Sequence, residues 1–255
     1  MTNIELVLTD FDGTVVELGK HVVSDKVRQT VIACEEKGVK VVPVTGRYYE
    51  MARPVLELLG FDSYGIFDNG ASIRNCVTGE LLWKNWLEPS TVQAVASILA
   101  PHSVWIDYDE SHDEHEPADN ELERISMVDQ AASHVFAIVH DTKLDQIEAD
   151  LAKISGLNYY MHVDLHGRPG VTGIQVTHHL SNKFHGAEAL RELIGVSREN
   201  TLAIGDSSND EPLFENAAIR VAMGNAEEAL KAKADYITGT VQNDGFVEAM
   251  EKFVL

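Results

Sequence analysis

Strand-like and helix-like patterns alternate at both ends of the chain, which predicts an α/β protein built on a parallel sheet. Between those ends the order becomes helix–strand–strand–helix–strand–strand, the signature of a small α+β module spliced into the core. A third observation is chemical. Apolar runs at both ends of the chain stop abruptly in acidic or glycine-bearing turns, and in open α/β sheets ligands bind where strands end.

The elements follow in order. Ile4 to Leu8 is an apolar run without a polar face, read as a buried parallel strand. Ser24 caps a helix with Val27, Val31, Ile32 and Cys34 on its apolar side, stopped at Gly38. A second strand, Val39 to Val44, runs into Thr45-Gly46-Arg47, and a helix follows from Tyr49 to Leu59 despite Pro54. Tyr64 to Phe67 is a short strand leading to Asp68-Asn69-Gly70-Ala71. Ser72 to Arg74 and Leu81 to Trp83 then read as a hairpin around Thr78-Gly79. In the middle section, Pro89 opens a helix to Leu99 and Val104 to Tyr108 is a strand. Residues 109–123 form an acidic, histidine-bearing stretch predicted to loop out, and His134 to Val139 is a strand. Thr142 with Asp145 resembles a capping box for a helix ending at Gly156, and a hairpin spans Leu157 to Thr177. From Ser181 the strand–helix alternation returns and closes with a helix from Gly245 to Phe253. The expected domains are a discontinuous core of residues 1–85 and 181–255, with residues 86–180 inserted.

Length and composition bound the function. At 255 residues and 44% hydrophobic content the chain is long enough for a full core. A formal charge of −21 offers no basic field for nucleic acid or an acidic membrane surface, so neither is an expected partner. No apolar stretch approaches the ~20 residues of a membrane span. Asp10 and Asp12 interrupt any signal-like hydrophobic block, and two cysteines build no disulfide framework, so the expected location is cytoplasmic.

The chemistry begins at Asp10 and Asp12. Residues i and i+2 of a strand point the same way, so both carboxylates serve one site where the chain leaves the sheet. Two like charges this close need a cation or a shared proton, and an oxygen-only set suits Mg²⁺ rather than zinc. Taken alone, an Asp-x-Asp at a strand end is also an ordinary exposed turn. Three further segments add to it: Thr45-Gly46-Arg47, Lys183 at a helix start, and Gly205-Asp206-Ser207-Ser208-Asn209-Asp210 after another apolar run. Together they supply a hydroxyl, backbone N–H groups, an ammonium and a second acidic cluster, an inventory for holding a phosphoryl group and a divalent metal. His112, His115, His178 and His179 lack the spacing and cysteine partners of a zinc site and read as surface residues.

These four segments, in this order, resemble the motifs of the haloacid dehalogenase-like hydrolases, and within them the Cof-type sugar-phosphate phosphatases with a type IIB cap. The resemblance implies a Rossmann-like parallel-sheet core with an inserted α+β cap domain. It implies Asp10 as nucleophile forming an aspartyl-phosphate. Asp12 becomes the general acid that protonates the leaving group and then activates water. Thr45, the Gly46 N–H and Asn209 would touch phosphoryl oxygens, and Lys183 would offset charge on Asp10 and the phosphate. Mg²⁺ would be held by Asp10, the Asp12 carbonyl and Asp206, with Asp210 either a ligand or the residue that orients Lys183 or metal-bound water. Arg47 is expected to brace its loop. The implied activity is Mg²⁺-dependent hydrolysis of a small phosphorylated metabolite, a sugar phosphate, by a monomer or homodimer. Two alternatives stay open: a phosphosugar mutase with the same phosphoenzyme, and a phosphorylation-switched signalling domain.

Overall fold

The computed structural model describes residues 3–17, 23–107, 112–113, 128–163 and 167–255. Two compact units emerge, Met1–Trp83 with Asn182–Leu255, and Lys84–Ser181. In the first, β1 (Leu6–Thr9), α1 (Asp25–Glu36), β2 (Lys40–Pro43) and α2 (Tyr49–Leu59) precede β3 (Tyr64–Phe67), β4 (Ser72–Asn75) and β5 (Leu81–Lys84). In the second, α3 (Pro89–Leu99), β6 (Ser103–Asp107), β7 (His112–Asp113) and β8 (His134–His140) are followed by α4 (Leu144–Leu151), β9 (Leu157–His162) and β10 (Val171–His178). The chain then returns to the first unit with α5 (Lys183–Ile194), β11 (Thr201–Gly205), α6 (Glu211–Phe214), β12 (Ile219–Ala222), α7 (Glu228–Lys231), β13 (Tyr236–Ile237) and α8 (Gly245–Phe253).

The first unit is organised by a parallel sheet of order β13-β12-β11-β1-β2. Strands β1 and β11 are buried along their whole length, as the absence of a polar face in their sequences requires. Leu6, Leu8, Val42, Leu202 and Ile204 pack into one apolar cluster with Val31 of α1, Leu56 of α2 and Phe246 of α8. Caps set where the helices begin. The Ser24 hydroxyl accepts the Lys26 N–H at 3.2 Å ahead of α1, and Asn182 accepts the His185 N–H at 3.1 Å ahead of α5. Register then positions the functional segments. Thr9 lies opposite both Pro43 and Ile204, so β1, β2 and β11 end side by side. Asp10 N–H donates to the Ile204 carbonyl at 2.9 Å, and Val44 N–H to the Thr9 carbonyl at 2.8 Å.

The inserted unit is an antiparallel sheet of order β7-β6-β8-β10-β9. One face packs Val104, Val135, Ala137, Val139, Ile174 and Val176 against Val92 and Leu99 of α3 and Ile147 and Leu151 of α4. The other face presents Trp105, Phe136, Gln175 and Tyr160 in one row across the sheet. Among the described residues, no helix is long and apolar enough to cross a membrane.

The structure departs from the sequence reading at three places. Strand β3 does not simply extend the parallel sheet: it pairs antiparallel with β4 in a small three-stranded sheet and meets the main sheet through a parallel Val44–Ile66 bridge. Helix α4 is not started by a Thr142 capping box. A 3₁₀ turn over Asp141–Lys143 precedes it, and Asp141 is occupied by the Thr172 hydroxyl at 2.8 Å. The helix also stops at Leu151, ahead of Gly156. Of the stretch expected to loop out, His112–Asp113 instead pairs with β6; residues 109–111 and 114–123, with His115 among them, lie outside the described residues.

Candidate active site

The carboxyl ends of β1, β2 and β11 carry the acids. Asp10 follows β1, Thr45 and Arg47 follow β2, and Asp206 and Asp210 follow β11. From α5, beside them, Lys183 sends a fully buried ammonium between two carboxylates, 2.5 Å from Asp10 Oδ1 and 2.6 Å from Asp210 Oδ1. Carboxylate oxygens of Asp10, Asp206 and Asp210 lie within 4.8 Å of one another.

One ammonium does not balance three carboxylates. Burial, then the charge of Asp210, holds the Asp10 carboxyl well above its ordinary value of 3.8. Burial and the same neighbour push Asp206 up to about 6. Burial pulls the Lys183 ammonium down, but Asp10 and Asp210 outweigh it, and the net shift is upward. Lys183 therefore stays charged while the excess negative charge sits on the acids. An oxygen-only set with surplus negative charge fits a hard divalent cation.

Asp210 has little freedom to serve as a ligand itself. Its Oδ1 is taken by Lys183, and its Oδ2 accepts the N–H groups of Asp206 and Ser207, each at 3.0 Å. It does not cap the Glu211 turn with its side chain; it reaches back and ties the start of its own loop. Asp206 is held by neutral donors, with Thr14 Oγ1 at 3.3 Å from Oδ1 and Asn225 Nδ2 at 3.3 Å from Oδ2. Gly13 makes that approach feasible. Its φ is +88°, and a Cβ there would collide with the Asp206 carboxylate.

Asp12 stands apart from this cluster and is clamped from β2. Arg47 donates Nε to Oδ2 at 2.8 Å and Nη2 to Oδ1 at 2.5 Å, a two-pronged pair, while its guanidinium lies 5.2 Å from the centre of the Phe11 ring. Arg47 thus braces an acid as well as its own loop. The Thr45 hydroxyl accepts the Arg47 N–H at 3.1 Å, and the Thr45 and Arg47 carbonyls accept the Asn69 and Asp68 N–H groups at 3.0 Å each. Asp68 and Asn69 both have left-handed backbone, at φ 53° and 55°, although neither is glycine. Two such residues in a buried turn mark stored strain of the kind found beside functional sites. Next to them Gly70, at φ +102°, lies so close to the Asn182 carbonyl that a Cβ would collide with it, which seats the turn on the start of α5. Asn209 is exposed, and its side chain accepts the Ser207 hydroxyl at 2.5 Å.

The structure therefore gathers Asp10, Lys183, Asp206 and Asp210 into one cluster. It sets Asp12 against Arg47 and places Thr45 and Gly46 in the loop ahead of α2 rather than in its first turn. Two participants escaped the sequence reading: the Arg47–Asp12 clamp and Asn225. Neither carries a local signal, because each depends on contacts between segments far apart in the chain.

The chain is similar to known proteins over nearly its whole length. A profile of the haloacid dehalogenase-like hydrolases matches residues 7–250. The chain is 28% identical to a 5-amino-6-(5-phospho-D-ribitylamino)uracil phosphatase of Bacillus subtilis, covering 99% of this chain and 97% of that protein. It is 26% identical to a phosphoglycolate phosphatase of Methanobrevibacter smithii, covering 99% and 100%. A haloacid dehalogenase-like hydrolase from Bacteroides thetaiotaomicron superposes with a TM-score of 0.82 at 25% identity, over 98% of this chain and 99% of that one. A subclass IIB sugar phosphatase shares the fold, with a TM-score of 0.73 at 22% identity over 98% of each chain.

Proposed function

Because the chain belongs to the haloacid dehalogenase-like hydrolases, we propose that this phosphatase is a Mg²⁺-dependent enzyme that hydrolyses a small phosphorylated metabolite, a sugar or polyol phosphate, through an aspartyl-phosphate. The observation that carries the reading is the buried Lys183 ammonium between Asp10 and Asp210, with Asp206 alongside and in surplus of negative charge. The relatives' names support a small phosphorylated metabolite: the phosphoribityl compound of one carries a polyol phosphate, and the phosphoglycolate of the other is a phosphorylated short acid.

Asp10, Asp206 and the Asp12 carbonyl are the groups we assign to the metal. When bound, Mg²⁺ would neutralise phosphoryl and carboxylate charge that Lys183 alone does not balance. Lys183 holds Asp10 Oδ1 and leaves Oδ2 to attack phosphorus. The P–O bond to the leaving group then breaks, and Asp12, held in place by Arg47, gives its proton to the departing alkoxide. In the second half, Asp12 takes a proton from water as that water attacks the aspartyl-phosphate, which frees Asp10 and inorganic phosphate. Thr45 and the Gly46 N–H are assigned to the phosphoryl oxygens. Asp210 works indirectly, by fixing Lys183 and the Asp206 loop. The inserted unit is assigned the choice of leaving group.

The test is phosphate release from a panel of sugar, polyol and short-acid phosphates. Activity should vanish in EDTA and return with Mg²⁺, and Asp206→Ala should raise the Mg²⁺ concentration required. Metal-independent turnover would overturn the reading. Asp12→Asn adds a sharper result. Turnover of alkyl phosphates should fall by about 10²–10⁴-fold, whereas 4-nitrophenyl phosphate, whose leaving group departs without a proton, should lose far less. An equal loss on both would remove Asp12 from the acid role.

A further inference from the structure

We infer that Asn225 is the residue that aims the Asp206 carboxylate at its metal ion, an assignment that rests on the Mg²⁺ reading above. Of the three clustered acids, Asp10 and Asp210 are in direct ion pairs with Lys183, whereas Asp206 makes no direct ion pair among the described residues; it feels Lys183 only at a distance and meets the Asp10 carboxyl. Its two oxygens are held by neutral donors, Thr14 on Oδ1 and Asn225 on Oδ2. One donor on each oxygen fixes the plane and rotation of the carboxylate without cancelling its charge. A lysine or arginine at either place would fix it equally well, but would neutralise the charge a cation needs. Outer partners of this kind orient metal ligands and set affinity.

Asn225 is itself immobilised, although it lies at the surface. Its Oδ1 accepts the Val241 N–H at 2.8 Å, and its Nδ2 donates to the Gly13 carbonyl at 2.9 Å as well as to Asp206. An N–H on one side and a carbonyl on the other determine which way the amide faces. Gly13 directly follows Asp12, so a single amide ties the turn of the first acidic segment to the acid of the second. The Glu227 N–H, two residues on, donates to the Asp206 carbonyl at 2.9 Å and holds the same strand end through the backbone. Asn225 touches neither Asp10 nor Lys183 in the hydrogen bonds of the site, so its influence runs through Asp206. It is a positioning residue.

The experiment is Mn²⁺ titration of the full chain, followed by the electron paramagnetic resonance signal of free Mn²⁺, an ion that shares the octahedral oxygen preference of Mg²⁺. Wild type, Asn225→Ala, Thr14→Val and Asp206→Ala are compared, and each is melted without metal. Wild type should bind at one site and Asp206→Ala should bind far more weakly. Asn225→Ala should weaken binding by about 10–100-fold, and Thr14→Val, which keeps the shape but removes the donor, should do likewise. If Asn225→Ala lowers the metal-free melting temperature yet leaves Mn²⁺ affinity at the wild-type value, Asn225 is a loop anchor only and the inference fails. A wild type that binds no Mn²⁺, or an Asp206→Ala variant that binds as tightly as wild type, overturns the metal reading and this inference with it.

Discussion

Replacing Asp10 by Asn should lower kcat on a small phosphomonoester by at least about a thousandfold, roughly 4 kcal/mol of barrier, without lowering the stability of the metal-free protein. The two halves of this result have one cause. Asn keeps the size of the side chain and its oxygen can still accept from Lys183, but it carries no charge with which to attack phosphorus. The same charge is a burden to the metal-free fold. Burial and Asp210 hold the Asp10 carboxyl well above its ordinary value, so ionising it at neutral pH opposes folding. Removing it should leave the unfolding midpoint at pH 7.5 in EDTA equal to or above that of wild type. Steady-state kinetics and thermal melts in EDTA check both parts. Activity within about tenfold of wild type, only ~1.4 kcal/mol, would remove Asp10 from the nucleophile's role. A large fall in stability would show that its carboxylate is a structural partner of Lys183 before it is a reactive group.

How much of this was legible from the residues depends on how local each signal is. Asp10, Asp206 and Asp210 could be read because each follows an apolar run, and parallel strands in register bring their ends together. Lys183 could be placed at a helix start because Asn182 is a strong cap. The Arg47–Asp12 pair could not. Its partners are 35 residues apart, and the reach of a guanidinium from one strand end to the next depends on χ angles that no spacing encodes. Asn225 was hidden for the same reason, at 212 residues from Gly13. The Asp68–Gly70 turn shows a different limit. Asn-Gly predicts a turn, but the left-handed backbone at Asp68 goes with a hydrogen bond from its N–H to the Arg47 carbonyl, a contact between segments that no local pattern announces. Strand β3 was drawn out of the main parallel sheet by its own hairpin partner, because Tyr64 to Phe67 has no feature that distinguishes parallel from antiparallel pairing.

Lys183→Met should strongly destabilise the core unit, and its effect should depend on pH in a set direction. Methionine fills much of the same volume but leaves Asp10 and Asp210 buried without their counter-charge. Breaking a buried pair by removing one partner costs about 3–5 kcal/mol, or on the order of 10 °C in unfolding midpoint for a chain of this size. The source of the pH dependence can be assigned. Lys183 has a raised folded value, so its own contribution is complete at every pH below its ordinary value of 10.5 and is flat between pH 4 and 8. The carboxylates behave oppositely. Asp206 already rises from 3.8 to about 6 in the wild type, so between those values the folded protein binds more protons than the unfolded chain, and stability falls as pH increases. Asp10 already shares that behaviour in the wild type, and because Lys183 pulls its value down, removing the ammonium should raise it further and deepen the loss toward neutral pH. Thermal melts in EDTA should therefore show a gap between wild type and variant that is wide at pH 8 and narrow at pH 4.5, where the acids take up protons. Mg²⁺ should recover part of the gap at pH 8, because a divalent cation supplies charge the variant lacks. A gap of equal size at both pH values would mean that Lys183 acts by packing alone, and the electrostatic account of the site would fail with it.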